Sequence, residues 1–408
     1  MSRTGTFDQR LVVWLSLAQL ITWGSVYYTF ALVMGPVERE LGLGRAESSL
    51  AFSLALLVEG LCGYPVGRWI DRGHERIVMT VGSLLVGLML LAHGMIDRPW
   101  QFYAVWAGLG VGMAATLYTP VFAVVTRRFP DQFRRAIITM TFLGGLASTV
   151  FIPLGSWLID TLGWRHALWV LAALQFGVCL PLHAWWLRHA PRGLAASGAA
   201  AEAQPVGAIV RSARFLLVGA FMVLMMSVFA AMPAHMVTML RESGLPAAMA
   251  IVVPASIGAL QVVGRLLLYF FEHHFDVHTA NRVIPSLLPV ALVLLMVAPG
   301  VHAAHPTAGL VVLMLFVTLY GMGNGMNTIV KGTAIAQYVD RHHVASLNGV
   351  LGIPLALSRA ASPWLMGALW NAQTGYRNGL WLMLGASLLS LAALFMAQRI
   401  ALGRHRAP

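Results

Sequence analysis

Apolar residues run along the whole chain in blocks of roughly twenty, the length a helix needs to cross the hydrocarbon of a bilayer. The blocks fall near residues 11–35, 49–67, 77–96, 100–125, 136–159, 166–187, 215–238, 248–271, 283–301, 310–337, 345–370 and 379–398. Polar segments punctuate them. The pattern predicts an all-α membrane protein with twelve transmembrane helices. Between the sixth and seventh blocks the composition shifts to APRGLAASGAAAEAQPVG, which reads as a flexible linker. The expected organisation is a six-helix bundle over 1–190, a cytoplasmic linker over 191–214 and a second six-helix bundle over 215–408.

Composition supports lipid as the solvent: 58% of residues are hydrophobic and 10% charged. A soluble enzyme is excluded on that ground. The first ten residues are too short and polar for a secretory leader, so the first helix is expected to stay in the mature protein. The net charge of +12 is spread between the apolar blocks without a polybasic tract, so nucleic acid is not an expected partner. With the amino terminus inside, eighteen of the 27 Lys and Arg fall on the cytoplasmic side, six outside and three within spans. The positive-inside rule then puts both termini in the cytoplasm, and the expected location is a bacterial cytoplasmic (inner) membrane. Arg127, Arg128, Arg134, Arg135, Arg188 and Arg192 carry much of that bias. Cys62 and Cys179 have no paired spacing, and His273, His274 and His278 lack the ligand spacing of a known metal site. Neither a metal nor a cofactor is expected.

The two halves echo each other. Gly110 and Gly112 of span 4 match Gly323 and Gly325 of span 10, which pairs Tyr118 with Lys331. Pro153 followed by Gly163, Trp164 and Arg165 matches Pro363 followed by Gly375, Tyr376 and Arg377, and Gly67 with Arg68 matches Gly264 with Arg265. Such a parallel repeat suits alternating access, in which two pseudo-symmetric bundles rock about a site at the bilayer midplane. A complete pair in one chain can work as a monomer.

Residues 67–76 read GRWIDRGHER, a charged turn between two apolar spans. Through Gly67, Asp71, Arg72, Gly73 and Arg76 this segment resembles the signature loop between helices 2 and 3 of the major facilitator superfamily. The resemblance extends over all twelve spans and implies the rocking mechanism. It also implies that Asp71 latches the cytoplasmic side, with Arg127 or Arg128 as partner; a carboxylate favours both a guanidinium and a helix amino terminus.

Ionic residues within the spans carry the chemistry. Of the acidic residues only Glu59 falls inside a predicted span, near mid-depth, where an unpaired charge costs several kcal/mol. A carboxyl group there can take up and release a proton, which makes Glu59 the proton-coupling candidate. Arg265, Lys331 and Arg359 supply opposite charge from spans 8, 10 and 11, and three cations are untenable against lipid tails. A cavity with surplus positive charge fits a small organic anion, because the guanidinium fork matches a carboxylate. Basic residues in helices 8 and 11 resemble the arrangement in oxalate/formate and monocarboxylate carriers. On helix 1, Gln19, Trp23 and Tyr27 recur every four residues, and Tyr320, Asn324, Asn327 and Lys331 form one stripe on helix 10. With Tyr118 these are the expected substrate-binding residues. His235, Gln261 and the methionines of span 7 read better as packing.

Proton antiport of drugs or metabolites is the rival reading, since Trp23, Tyr27 and Phe30 suit a lipophilic cargo. Drug antiporters of the superfamily carry an adjacent Gly-Pro pair in helix 5, whereas span 5 here has Gly144, Gly145, Pro153 and Gly155 without one. A transport-inactive sensor on the same fold is a third reading. With ten residues before span 1 and ten after span 12, no soluble domain for it is expected. No P-loop is present, so an ion gradient is the expected energy source.

Overall fold

Helices dominate the computed structural model because a chain in hydrocarbon has no water to satisfy its backbone, and a helix satisfies it internally. The structure describes residues 9–129, 132–188, 206–271, 274, 276–340 and 343–403, of which the side chains of 133–135, 206, 269, 345, 346 and 403 are not described. Arg192 and His273, singled out above, lie outside the described residues, as do the side chains of Arg134 and Arg135.

In the first unit, residues 1–199, the helices are α1 (Gln9–Leu41), α2 (Arg45–Trp69), α3 (Glu75–His93), α4 (Pro99–Arg128), α5 (Ala136–Leu162) and α6 (Trp164–Trp186). In the second, residues 200–408, they are α7 (Ala213–Glu242), α8 (Met249–Phe271), α9 (Val277–Ala304), α10 (Pro306–Tyr338), α11 (Val344–Ala368) and α12 (Arg377–Gly403). A short helix, Val206–Val210, precedes α7, and residues 191–205 of the expected linker lie outside the described residues.

Ten segments are long and apolar enough to cross a membrane by composition. One of them, Arg45–His93, is 49 residues long and bends at Gly73, whose φ of 87° only glycine adopts freely. It therefore serves as two spans. The 25-residue α11 spans about 37 Å at ~1.5 Å per residue, which also exceeds the hydrocarbon thickness. Among the described residues, twelve helices of membrane-spanning length result, six in each unit, besides the short helix Val206–Val210.

Proline and π-turns mark where helices depart from regularity. Pro120 has no N–H to give the carbonyl of Thr116, and α4 is extended at Leu117 (ψ −165°). The side-chain amide of Gln19 on α1 donates to that carbonyl instead, at 2.5 Å. Helix α1 widens into a π-turn over Trp23–Tyr28, and α6 does so over Gln175–Cys179. The two turns meet through hydroxyls: the Gln175 amide donates to Ser25 at 2.8 Å and to Thr22 at 3.4 Å.

Glycines set how closely helices approach. A Cβ on Gly110 would fall 2.4 Å from the Ala55 carbonyl of α2, and one on Gly112 would fall 2.5 Å from Val86 of α3. In the second unit Gly321 and Gly325 press on Leu260 and Gln261 of α8, whereas Gly323 faces Leu287 of α9. Helices α8 and α9 correspond in order to α2 and α3, so Gly323 occupies the face of Gly112, not that of Gly110. The sequence pairing is therefore off by two residues, a rotation of about 200° on a helix. Tyr118 is consequently not the counterpart of Lys331. Pattern matching on a glycine run slips easily, because every second residue is glycine in both copies.

Polar ties close the ends of the second unit. Asp276 caps α9 by accepting from the Thr279 amide at 2.9 Å, which holds its carboxyl below the usual range. Tyr338 accepts from Asn281 at 2.8 Å and from Gln398 at 3.0 Å, and His278 lies 3.2 Å from the same hydroxyl.

Gly325→Ala is expected to lower stability by about 1–3 kcal/mol, because the new methyl meets a backbone carbonyl that cannot rotate away. Gly332→Ala, with nothing within 4 Å, is expected to be neutral or slightly stabilising. Thermal unfolding of the purified variants in one detergent checks the order, and equal midpoints would refute the close packing of α8 on α10.

Candidate functional site

The segment GRWIDRGHER is helical on both sides of a single turn. Residues Ile70–His74 continue α2 as a π-turn, Gly73 reverses direction, and α3 starts at Glu75. Asp71 and Arg72 are exposed, Gly67 has open space around it, and Arg76 donates to the Ala184 carbonyl at 2.8 Å. The carboxylate that meets a guanidinium here is Glu75. Arg128 bridges to Glu75 and also donates to the Leu187 carbonyl at 3.1 Å. Arg127 lies over the turn, its guanidinium 3.8 Å from where a Cβ on Gly73 would sit, and adds its field to Glu75.

Glu75 is fully buried and was missed in the sequence reading, which placed it in a polar turn. Two signals could have found it. It is the first residue of a helix, where a carboxylate is favoured, and the Arg127–Arg128 pair needs a counter-charge.

In the first unit, three of the four expected substrate residues come together. The Trp23 ring lies 4.9 Å from Tyr27 and 5.1 Å from Tyr118, and Tyr27 contacts Phe52 edge-on at 5.2 Å. Gln19 is fully buried, and its amide donates to the Thr116 carbonyl. Glu59 is half-buried on α2, one turn beyond Ala55, where α4 approaches through Gly110.

In the second unit the stripe on α10 divides by depth. Tyr320 is fully buried between Phe229 and Phe316, at 6.0 and 5.6 Å. Asn324 and Lys331 are half-buried. Asn327 is 1% exposed, and neither its amide nitrogen nor its oxygen has a hydrogen-bond partner among the described residues. Lys331 lies within electrostatic range of Arg359 on α11, so these two predicted cations are brought together. Arg265 is half-buried on α8. His235 is committed to packing, bonded to the Tyr376 hydroxyl at 3.0 Å and the Pro363 carbonyl at 2.8 Å. Among the described residues no group of three His, Cys, Asp or Glu could hold a metal ion.

Sequence comparison decides the family, since the Major Facilitator Superfamily profile matches residues 15–329. The chain belongs to the Major Facilitator Superfamily. It is therefore a membrane transporter and not an enzyme. It is 29% identical over 375 residues to monocarboxylate transporter 13 of Bos taurus, covering 82% of each chain. It is 29% identical to the oxalate:formate antiporter of Oxalobacter formigenes over 40% of this chain and 38% of that one. It is 26% identical to the multidrug resistance protein MdtG of Yersinia enterocolitica over 38% and 40%. The chain thus spans about two fifths of the latter two relatives. Among solved structures, a bacterial homologue of the lysosomal transporter Spinster superposes with a TM-score of 0.72 at 16% identity, covering 99% of this chain and 100% of that one. The nucleoside transporter NupG gives 0.71 at 14%, covering 96% and 98%. At such identities these two show the fold alone.

Glu75→Gln is expected to destabilise the protein by about 3–5 kcal/mol, because Arg128 keeps a buried charge and loses its partner. Asp71→Asn, at an exposed position, is expected to stay within about 0.5 kcal/mol of the parent. Melting midpoints of the two variants measure this, and the reverse order would show that Asp71 and not Glu75 is the structural carboxylate.

Proposed function

We propose that this transporter moves a small organic anion, a carboxylate, across the cytoplasmic membrane by alternating access, driven by a proton gradient through Glu59. The observation that carries the reading is the pair of cations on adjacent helices, Lys331 on α10 and Arg359 on α11, held within each other's field at partial burial. Two like charges repel, and the repulsion grows as water is withdrawn, so an arriving carboxylate is favoured by both. Asn327 adds two donor hydrogens and an acceptor that have no hydrogen-bond partner among the described residues, which suits a ligand oxygen or a water that accompanies it.

Arg265 is the third cation of the site, and Asn324 and Tyr320 complete the stripe that orients the cargo. Trp23, Tyr27 and Tyr118 line the path with aromatic surface. The monocarboxylate and oxalate:formate relatives support the substrate class. In this reading residues 1–190 and 215–408 are the working halves, joined by 191–214, with both termini in the cytoplasm. The turn of Gly67, Asp71, Arg72, Gly73 and Arg76, with Arg127 and Arg128, gates the cytoplasmic side.

Drug or metabolite export is the second reading, favoured by the likeness to MdtG and by the aromatic cluster of the first unit. The two readings separate in proteoliposomes. Uphill uptake of radiolabelled oxalate, formate or lactate under an imposed proton gradient supports the first. Gradient-driven extrusion of a lipophilic cation, with no anion flux, supports the second.

Arg359→Ala and Lys331→Ala are each expected to weaken anion binding at least tenfold, the effect of about 1.4 kcal/mol. Glu59→Gln is expected to retain binding and lose accumulation against a gradient. Thermal stabilisation by the anion and gradient-driven uptake read these two effects apart. Full-strength binding by Arg359→Ala would remove that residue from the site, and uphill transport by Glu59→Gln would end its coupling role.

A further inference from the structure

The second unit holds a cavity of about 790 Å³ that the transport reading does not use. It lies among α7, α9 and α12, at the end of the unit that carries Glu242 and residues 370–377. Its size falls in the range of about 300–1,000 Å³ typical of small-molecule sites. One wall is apolar, built by Val293, Met296 and Val297 of α9 and by Leu380 and Leu384 of α12. The rim is polar and aromatic, with Glu242, Trp370, Asn371, Arg377 and Trp381.

Three observations decide what such a cavity suits. Val290, Val293 and Val297, recurring every three or four residues along α9, are 50%, 44% and 44% exposed, and Trp381 is 55% exposed. In a membrane transporter that face meets lipid chains, so an occupant arrives from the bilayer. Tryptophans at the rim fit the boundary between hydrocarbon and headgroups. The rim also carries both signs of charge. Arg377 is exposed and its side chain has no hydrogen bond or ion pair among the described residues. Glu242 accepts the Trp370 indole at 2.9 Å, and a carboxylate has acceptor sites beyond that one.

We propose that this cavity binds a phospholipid with a phosphoethanolamine headgroup. One acyl chain lies along the α9–α12 wall, the phosphate meets Arg377, and the primary ammonium meets Glu242 and the face of Trp370. A purely anionic headgroup carries no ammonium to meet the Glu242 carboxylate. A choline headgroup has no N–H to donate. The site is independent of the substrate reading, since none of its rim residues belongs to the proposed transport path.

The test is native mass spectrometry and thermal unfolding of the full chain in detergent, titrated with phosphatidylethanolamine, phosphatidylcholine and phosphatidylglycerol of identical chains. Phosphatidylethanolamine is expected to bind about tenfold more tightly than the other two, as one charge-assisted hydrogen bond would give. Glycerophosphoethanolamine, which lacks chains, is expected to have no effect. Glu242→Gln should abolish the preference over phosphatidylcholine, and Arg377→Gln should weaken all three lipids. Leu384→Trp should block binding by filling the groove, with Val293→Trp as the substitute if that variant is not monodisperse. Arg399→Gln, at the far end of α12, should change nothing. Equal binding of the three lipids, a stronger effect of phosphatidylglycerol, stabilisation by the chainless headgroup, or undiminished binding after the groove is filled would each overturn the proposal.

Discussion

Hydrocarbon offers no hydrogen-bond partner, and that absence governs every polar group in this chain. Regular helices satisfy most of the backbone. The informative places are those where a helix cannot satisfy itself. Pro120 orphans the carbonyl of Thr116, and an amide from another helix, Gln19, makes good the loss. Because the donor comes from α1, the proline ties α1 to the break in α4 instead of merely weakening it. The π-turns of α1 and α6 are similar: the widened turns are joined by Gln175, Thr22 and Ser25.

The same constraint acts more strongly on charge. Glu75 and Arg128 are tolerated beneath the surface because Arg128 pairs with Oε1 of Glu75 and also reaches backbone carbonyls beyond α6, although Oε2 of Glu75 has no hydrogen-bond partner among the described residues. Replacing such a pair by apolar side chains need not destabilise a protein, whereas removing one partner does. The pair therefore holds the α2–α3 turn, the start of α3, the end of α4 and the end of α6 in one arrangement. Exposed Asp71 and Arg72 have no comparable hold on the fold, which leaves them able to change partners.

How much of this could be read from sequence follows from which signals are local. Twelve spans and the turn at Gly73 were legible, because hydropathy and a glycine between charged residues are properties of contiguous residues. The superfamily was legible for the same reason. Burial of Glu75 was not, since it depends on an arginine fifty-three positions away. Gln19 is similar: its spacing from Trp23 and Tyr27 is helical and local, but its hydrogen bond to the Thr116 carbonyl depends on Pro120, about a hundred residues away. The repeat was legible as a repeat and its register was not. A run of alternating glycines matches itself after a shift of two, and only the neighbouring helices reveal which face each glycine occupies.

The proposed substrate site rests on Lys331 and Arg359 lying within electrostatic range of each other. A buried cation is more commonly set against a carboxylate, as Arg128 is against Glu75. In the proposed reading, two cations within each other's field at partial burial raise the free energy of the empty site, and an anion that binds both lowers it. On that proposal the pair would couple occupancy to conformation, because movement of α10 against α11 would change the repulsion when the site is empty and much less when it is filled. A ligand shifts a conformational equilibrium only by its differential affinity for the two states, and a pair of like charges supplies such a difference directly.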